Sequence, residues 1–268
     1  MSAPTVVWVL VADLGRTGVP VALARMAAWH AASASGEAEF HVLAGRDGPL
    51  RAELTAVTAS VTVLEPAHRR SAATTLAAAA AQSGHTGRAQ QVRARAWRAW
   101  TRSLPPPDVV LVHGAGAWRL HADLEARLPP RHRLVVHLHE LDEALDRCIP
   151  VEVRAAFFQR ADAVLAVCAP VADLAVAAGA EPESVSVATV ASDLAPGSPP
   201  SSSGRSRPAV ASIGTPGWRK GTDRALAVAH EVRRTHPEVA CSWVGGHPAP
   251  PDRYAVGADL PLRFHASC

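Results

Sequence analysis

The sequence predicts an α/β protein with two Rossmann-like, doubly wound parallel-sheet domains, the second of them incomplete. Short apolar runs alternate with helical patterns as far as Val190, which is typical of a parallel sheet covered by helices. Asp193–Pro208 is rich in Pro, Ser and Gly and has no apolar period, so we expect a linker there. The alternation restarts at Ala209. We therefore expect domains over 1–192 and 209–268, joined by 193–208.

Composition narrows the functional classes. The 268 residues are 48% hydrophobic and 19% charged with a formal net charge of +3, which is typical of a soluble globular protein. The sequence shows neither a broad basic surface nor a nucleic-acid-binding module. The four cysteines lie far apart and form no CxxC pair, which favours reduced thiols in the cytoplasm over a zinc site or a disulfide framework. The N-terminal apolar run is too short to span a membrane.

One predicted helix carries a cluster of arginines interleaved with Ala and two Trp. They are Arg88, Arg93, Arg95, Arg98 and Arg102. Two interpretations stay open, a solvated helix face and a patch for a membrane surface or an acidic partner. The second would place the protein peripherally at the inner face of the membrane.

The first strand, Val6–Ala12, is almost wholly apolar and predicts a central strand buried on both faces. A glycine-containing loop follows, and Pro20 then lies in the first turn of a helix, where its missing N–H costs nothing. Further strands are expected at Glu39–Ala44, Val61–Leu64, Asp108–His113, Leu134–Leu138, Ala163–Val167 and Val185–Val190. Further helices are expected at Pro49–Val57, Ser71–Ser103 with a break at Ser83–Gly87, Trp118–Leu128, Val151–Arg160 and Pro170–Ala178.

The C-terminal region repeats the pattern on a smaller scale. Strands are expected at Ala209–Ile213, Val239–Val244 and Leu262–Phe264, with one amphipathic helix between the first two. Only 60 residues follow Pro208, whereas a doubly wound domain needs roughly 100. So small a parallel sheet has uncovered edges and faces. We therefore expect a truncated chain, a remnant, or a partner that completes the domain.

Two loops are candidate phosphate sites. Arg219-Lys220-Gly221 places two cations where a helix begins, and a helix N-terminus already favours anions. The alternative is an ordinary surface Arg-Lys pair. Gly15–Gly18, at the carboxyl end of the first strand, is either a tight turn or a set of N–H groups for a phosphate or sugar. It lacks G-x-G-x-x-G, which disfavours a nicotinamide-dependent enzyme.

Histidines end two predicted strands. His137 and His139 share one face of their strand because successive side chains alternate, and His113 ends the neighbouring strand. Each is either a packed core residue or part of a ligand site, and the ligand interpretation is stronger for His139, which precedes Glu140 at the strand's carboxyl end. HLHE has no third ligand at metal spacing, so we expect no metal.

Together these segments resemble the retaining glycosyltransferases of family 4, the group 1 glycosyl transferases with a GT-B fold. The resemblance is carried by VVWVLVADLGRTGVP, VVHLHEL, ADAVLAVCAPVADLAVAAGAEPESVSVATV, IGTPGWRKGTDRALAVAHEV and CSWVGG. GTPGWRKG is similar to the family's phosphate-binding turn. The resemblance implies transfer of a sugar, with retention, from a nucleotide-diphosphate sugar to a glycan, lipid or small-molecule acceptor, in polysaccharide biosynthesis.

The resemblance also implies roles for single residues. These are His139 as the catalytic residue, Gly15, Gly18, Arg219, Lys220 and Gly221 at the donor phosphates, and Asp13, His113, Glu140, Gly214 and Thr215 along a cleft between the domains. No metal or other cofactor is implied, because Arg and Lys stabilise the charge that develops on the leaving diphosphate.

The chain departs from the family pattern at several points. Thr17-Gly18 replaces Gly-Gly, Thr215 stands where Arg is expected, Cys168 replaces a small polar residue, and Ala191-Ser192 replaces Asn-Gly. The paired glutamates, E-x7-E, that hold the donor sugar and ribose are expected beyond Phe264 and do not occur in the 268 residues. The alternative function is therefore a catalytically inactive remnant or binding module of the same fold.

Overall fold

The chain forms two compact units. The structure, a computed structural model, describes residues 3–33, 36–65, 72–125, 128–190, 208–214, 216–217, 220–245 and 263–265. Contacts between residues divide the chain into Met1–Asp193 and Leu194–Cys268, called here the N-terminal unit and the C-terminal unit. The predicted linker lies almost wholly outside the described residues.

The N-terminal unit contains a seven-stranded sheet in which every neighbouring pair is parallel. Its strands are the apolar, β-branched runs, because these residues pack well on a pleated surface that helices cover. The strands are β1 (Thr5–Asp13), β2 (Ala38–Arg46), β3 (Ser60–Glu65), β4 (Val109–His113), β5 (Arg133–Leu138), β6 (Ala163–Ala166) and β7 (Val185–Val187). The described helices are α1 (Gly18–Ser33), α2 (Arg51–Val57), α3 (Ala72–Gln82), α4 (Thr86–Trp100), α5 (Trp118–Leu124), α6 (Asp142–Cys148), α7 (Val151–Gln159) and α8 (Ala169–Ala177).

The strand order is β3-β2-β1-β4-β5-β6-β7. The chain runs outwards from β1 to β3 and then returns to add β4 on the other side of β1, so the order reverses between β1 and β4. Open α/β sheets bind ligands outside the carboxyl ends of the strands at such a switch point. The loops that follow β1, β4 and β5 lie at this edge of the sheet.

Both faces of this sheet are covered. Trp8 and Leu10 belong to one buried apolar cluster, whereas Val7, Val9 and Val11 belong to another. Because successive side chains of a strand point to opposite faces, the two clusters are the two interfaces between sheet and helices. The prediction of a central first strand buried on both faces is confirmed.

The C-terminal unit contains a parallel sheet of three described strands in the order β10-β9-β8. The elements are β8 (Ala209–Ile213), α9 (Thr222–Thr235), β9 (Ala240–Val244) and β10 (Arg263–His265). The buried apolar cluster of its described residues consists of Ala229, Cys241 and Trp243. A helix therefore packs on one strand through a single layer of side chains.

The predicted alternation of strands and helices is confirmed, with local errors. The helix α6 was not predicted, because Asp142–Cys148 is short and polar and buries only Leu145. Three ends were placed too late: α4 ends at Trp100, α5 at Leu124 and β7 at Val187. The predicted break in the long arginine-rich segment is confirmed between α3 and α4.

The clustered arginines do not share one environment. Arg88 and Arg95 of α4 are exposed, as is Arg102, which follows the helix. Arg93 instead donates from Nε to Asp123 Oδ2 of α5 at 2.8 Å, and the Asp123 side chain is 1% exposed. Arg93 therefore has a structural partner inside the unit. No helix in the described ranges combines the length and apolar character needed to cross a membrane.

Candidate functional site

Asp13 builds the loop after β1. Its Oδ1 accepts a hydrogen bond from the Gly15 N–H at 2.8 Å. A Cβ on Gly15 would lie 2.8 Å from the same oxygen, so a side chain there would displace the Asp13 carboxylate from this hydrogen bond. Gly18, which begins α1, has open space where a side chain would be. The loop is therefore a rigid turn that leaves room above its last glycine.

A glycine that the sequence analysis did not single out supports this loop from behind. A Cβ on Gly48 would lie 2.3 Å from the carbonyl atoms of Leu14 and 2.7 Å from the Gly15 nitrogen. Gly48 therefore lets the β2–α2 loop pack against the backbone of the β1–α1 loop. The same β2–α2 loop borders an open cavity of about 800 Å³, whose lining includes Asp47, Arg51 and Thr55.

His113 ends β4 and connects it to the start of α1. Its Nε2 lies 3.0 Å from the Val19 carbonyl oxygen. A carbonyl oxygen only accepts, so Nε2 carries the proton and Nδ1 has a free lone pair. His113 is 1% exposed. The sequence left open whether it packs or meets a ligand, and the structure shows that it packs against the segment that follows Gly18.

The three predicted histidines lie together. His113 and His137 are register partners on β4 and β5, and His139 follows β5. The ring centroids are 4.9 Å apart for His113 and His137, 4.7 Å for His113 and His139, and 4.2 Å for His137 and His139. Each ring offers a nitrogen within 4.8 Å of those of the other two. The third imidazole that HLHE lacks along the chain thus comes from the neighbouring strand.

Burial keeps these histidines uncharged. Burial, followed by the charges of the adjacent His139 and His137, lowers the pKa of His113 to about 3. Burial, followed by the charge of His137, lowers the pKa of His139 to about 4. Burial also lowers the pKa of His137. At neutral pH all three are therefore neutral imidazoles, each with one lone pair available.

Glu140 fixes the backbone around this cluster. Its Oε2 accepts from the Ala115 N–H at 3.0 Å and from the His139 N–H at 3.1 Å. Gly114, which precedes Ala115, has φ +82°, and a Cβ there would lie 2.9 Å from Glu140 Oε1 and from Val19 Cγ1. Glu140 was predicted as a residue of the cleft, and the structure shows that its carboxylate joins the ends of β4 and β5.

In the C-terminal unit, Gly221 is the N-cap of α9 and has left-handed backbone angles, φ 69° and ψ 34°. No side chain caps this helix end. The Lys220 N–H bonds to the Gly217 carbonyl at 3.0 Å, and the Lys220 side chain is exposed. Thr222, which is fully buried, closes the turn because its hydroxyl accepts from the Gly217 N–H at 2.8 Å and donates to the Gly217 carbonyl at 3.1 Å.

Gly214 forms the floor of this turn. It has φ +142°, and the aliphatic part of Lys220 lies 3.6–3.7 Å from the position of a Gly214 Cβ. The Trp243 indole N–H donates to the Gly214 carbonyl at 2.6 Å, which ties the turn to the small core. The predicted residues Arg219 and Thr215 lie outside the described residues. The structure brings Lys220, Gly221 and Gly214 together in one turn.

Several site residues escaped the sequence analysis. They are Gly48 behind the first loop, Val19 through its carbonyl, Ala115 through its N–H, and Thr222 within the turn. Only Thr222 carried a sequence signal, as a hydroxyl residue at a helix start. The others act through backbone atoms or close approach, which a side-chain pattern does not reveal.

Lys220 also stands out by its residue type. The sequence contains 26 arginines and one lysine, and that lysine is Lys220. Arginine and lysine are not interchangeable, since lysine presents a compact, strongly hydrated charge on a flexible stem. A chain that otherwise uses arginine throughout thus has a lysine at its predicted phosphate turn.

No protein-family model and no curated protein matches the sequence. Solved structures do match. HepE from Anabaena, in complex with UDP and glucose, has a TM-score of 0.62 at 15% identity, over 99% of this chain and 70% of HepE. The lipopolysaccharide outer core galactosyltransferase WaaB, in its apo form, has a TM-score of 0.60 at 12% identity, over 98% of this chain and 68% of WaaB.

A UDP-N-acetylglucosamine 2-epimerase is also similar, with a TM-score of 0.52 at 14% identity over the whole of this chain and 70% of the epimerase. At such identities the likeness concerns the fold. The predicted fold class is confirmed, because the neighbours are GT-B proteins and the N-terminal sheet is the parallel, doubly wound sheet of that fold.

Proposed function

We propose that this chain binds a nucleotide-diphosphate sugar and transfers the sugar, with retention, to a glycan or lipid-linked acceptor, as the resemblance to family 4 implies. The observation that carries the proposal is the Lys220 turn. Its single lysine stands exposed beside the uncapped N-terminus of α9, with Gly221 in the left-handed conformation that starts the helix there.

The physical case for a diphosphate at this turn has two parts. The aligned peptide dipoles of a helix place roughly half a positive charge at its N-terminus, where the first N–H groups lack partners within the helix. α9 has 14 residues, no side-chain cap and Lys220 next to its first turn. A departing nucleoside diphosphate gains negative charge, and fixed positive groups stabilise the transition state more than the ground state. For this reason the proposed reaction uses no metal.

His139 is the proposed contact for the transferred sugar. Its pKa of about 4 leaves it neutral, and its Nε2 is buried without a hydrogen-bond partner among the described residues. A neutral imidazole nitrogen accepts a hydrogen bond from a sugar hydroxyl, and Glu140 holds the His139 backbone in place. The proposed role is therefore to orient the sugar, with Gly18 and its open space providing room for the donor.

The similar structures support the choice of donor. HepE was solved with UDP and glucose and also with UDP-glucose, and the epimerase is named for a UDP sugar. We therefore take UDP-sugars as the first donors to test. The proposed setting is the cytoplasm, with peripheral contact to the membrane if the acceptor is lipid-linked.

The single lysine permits a direct binding test. The full chain is treated with a limiting amine-acylating reagent, and modification of the peptide that contains Lys220 is followed by mass spectrometry. We expect UDP and UDP-glucose to slow acylation at Lys220, whereas uridine, which has no phosphate, does not. The N-terminal amine is the internal control. Equal acylation rates at Lys220 with and without UDP would refute the phosphate assignment.

Substitutions distinguish the contribution of the Lys220 turn to UDP binding from that of the rest of α9. Lys220→Ala removes a charged contact of about 1.5–3 kcal/mol and is expected to weaken UDP binding roughly 10–100-fold in calorimetry. Arg233→Ala, at the opposite end of α9, is the matched control and should leave binding unchanged. An assay of UDP release from UDP-sugars, in the presence of a library of acceptors, distinguishes a glycosyltransferase from an inactive binding module. Binding without turnover would support the inactive binding module.

A further inference from the structure

We propose that His113, His137 and His139 form a binding site for a divalent transition metal of the zinc class. The site shares His139 with the proposed sugar contact, whereas the donor chemistry proposed above uses no metal. The proposal rests on three observations: unpartnered buried nitrogens, a fixed tautomer and the convergence of three imidazoles.

Four ring nitrogens of this cluster are buried and have no hydrogen-bond partner among the described residues. They are His113 Nδ1, His137 Nδ1, His137 Nε2 and His139 Nε2. Buried polar atoms in folded proteins almost always have a partner, and a group of exceptions calls for an unseen water or ion. Each unsatisfied buried group lowers stability. An ion bound to one nitrogen of each ring would give three of these four nitrogens a shared partner.

The hydrogen bond from His113 presents its other nitrogen as a ligand. Nε2–H donates to the Val19 carbonyl at 3.0 Å, which leaves the lone pair of Nδ1 pointing away from that contact. Histidines that bind metals usually donate their second ring nitrogen to a carbonyl or carboxylate, which fixes the tautomer and the ring orientation. His113 already has this arrangement.

The distances suit a metal after small rotations. The ligand nitrogens all lie within 4.8 Å of one another, whereas two nitrogens on one tetrahedral zinc are about 3.4 Å apart, given Zn–N bonds of about 2.0–2.1 Å. The torsion that turns an imidazole about its bond to Cβ is broad, so closing this gap needs little strain. The strands fix the backbones, because His113 and His137 are register partners.

The donor set selects the class of metal. Three neutral imidazoles favour Zn²⁺, Cu²⁺, Ni²⁺ or Co²⁺ over Mg²⁺ and Ca²⁺, which prefer oxygen ligands. His139 is only partly buried, so an ion reaches the cluster from its side and keeps a fourth position for water. If the proposed function holds, bound metal occupies the nitrogen of His139 that the sugar would use, and zinc inhibits transfer.

The test uses the full chain after treatment with a chelator. Titration with Co²⁺ is followed by visible absorption, and Zn²⁺ is titrated by calorimetry. We expect one equivalent to saturate the site, with tetrahedral Co²⁺ bands and no thiolate charge-transfer absorption, since the ligands are imidazoles. Sub-stoichiometric binding, or a thiolate spectrum, would overturn the proposal and leave the cluster as aromatic packing only.

Two variants assign the ligands. His137→Phe and His139→Phe keep an aromatic ring and remove the nitrogens. Removing a residue that only hydrogen-bonds to a metal ligand costs about 10–100-fold in metal affinity. Removal of a ligand itself should therefore weaken binding at least about 100-fold. His121→Gln replaces another buried histidine, 3% exposed and outside the cluster, and should bind as the parent does.

Folding and nucleotide binding are checked in the same samples. Circular dichroism and thermal unfolding show whether each variant is folded, and the partly exposed His139 provides the safer of the two substitutions. UDP binding, measured separately, tests the proposed function, so the two proposals fail independently. Equal Co²⁺ affinity in the parent, His139→Phe and His121→Gln would place any bound metal elsewhere and overturn the assignment.

Discussion

The candidate residues of the two units differ in their burial, and therefore in how much the stability of the fold depends on them. In the N-terminal unit, His113 and His137 are buried and Gly114 lies against two other side chains. In the C-terminal unit, Lys220 is exposed, and a Cβ on Gly221 would lie 3.9 Å from its nearest neighbour. The first set belongs to the core of a seven-stranded sheet, whereas the second lies on the surface of a small one.

This difference predicts how the two sets respond to substitution. Changes at the edge of the N-terminal sheet should alter stability, because they disturb packing and buried polar groups. Changes at the Lys220 turn should alter ligand binding and lower the free energy of unfolding by about 1 kcal/mol or less. Substitutions in both sets test that contrast.

The largest effect is expected for Gly114→Ala. Gly114 has φ 82° and ψ 148°, a region that is open essentially to glycine alone, and its new Cβ would lie 2.9 Å from Val19 Cγ1. We expect the free energy of unfolding of the N-terminal unit to fall by about 3–4 kcal/mol, from backbone strain and overpacking together. Urea unfolding followed by tryptophan fluorescence measures it.

Gly18→Ala is the matched control, because Gly18 also borders the site but has open space around it. Its φ is not positive, so alanine is accommodated without strain. The change in stability should stay within about 0.5 kcal/mol. A loss at Gly18 as large as that at Gly114 would show that packing does not distinguish the two glycines.

Acid should destabilise the N-terminal unit through its buried histidines. Burial, followed by the charges of Arg160 and His132, lowers the pKa of His121 to about 4. The unfolded chain takes up this proton near pH 6.5 and the folded chain only near pH 4, so stability is complete above pH 6.5 and declines as pH falls towards 4.

Between pH 7 and pH 5 this one group should cost about 2 kcal/mol. His121→Leu removes the titrating ring and should flatten the pH dependence of the unfolding free energy by that amount. His230→Leu, on the exposed face of α9, is the control and should leave the slope as it is. An unchanged slope in His121→Leu would mean that the ring is not held neutral.

His137→Phe should stabilise the metal-free protein. Neither ring nitrogen of His137 has a hydrogen-bond partner among the described residues, so phenylalanine removes two unsatisfied groups and keeps the aromatic contacts with His113 and His139. We expect a gain of about 1 kcal/mol in thermal or urea unfolding. His41→Phe should destabilise instead, because the His41 Nδ1 has a partner in the Ser60 hydroxyl at 2.8 Å.

Saturating zinc should reverse the effect at His137, since only the parent protein gains stability from a bound metal. If zinc does not stabilise the parent protein, His137→Phe should be more stable than the parent both with and without zinc. The sign of the difference with and without zinc thus separates a ligand cluster from a packing cluster.

The same contrast explains what the sequence alone revealed. The strand–helix alternation and the Lys220 turn are local patterns, so a linear inspection found both. The histidine cluster depends on β4 and β5 being neighbours, and spacing along HLHE could not supply His113 as a third imidazole. Gly48 is needed because the β2–α2 loop packs closely against the backbone of Leu14. No local sequence pattern indicates this contact.

Arg93 illustrates the same limit. Its position among exposed arginines predicts a solvated side chain, yet its partner Asp123 is 30 residues away on another helix and almost fully buried. Burial raises the pKa of Asp123, and the hydrogen bond from Arg93 opposes that rise. Composition and helical period identify a basic segment, whereas only tertiary contacts show which arginine has a buried partner.

The smallest effects are expected at the Lys220 turn. Gly221→Ala places a side chain at φ 69°, which costs about 1 kcal/mol, and its nearest neighbours at 3.9–4.0 Å add no clash. Lys220→Ala should change the unfolding free energy by less than about 0.5 kcal/mol, since its side chain is exposed. Thermal unfolding and UDP calorimetry on the same samples measure both effects. If Lys220→Ala unfolded the C-terminal unit, its loss of UDP binding would be indirect; retained stability with lost binding identifies Lys220 as a ligand contact.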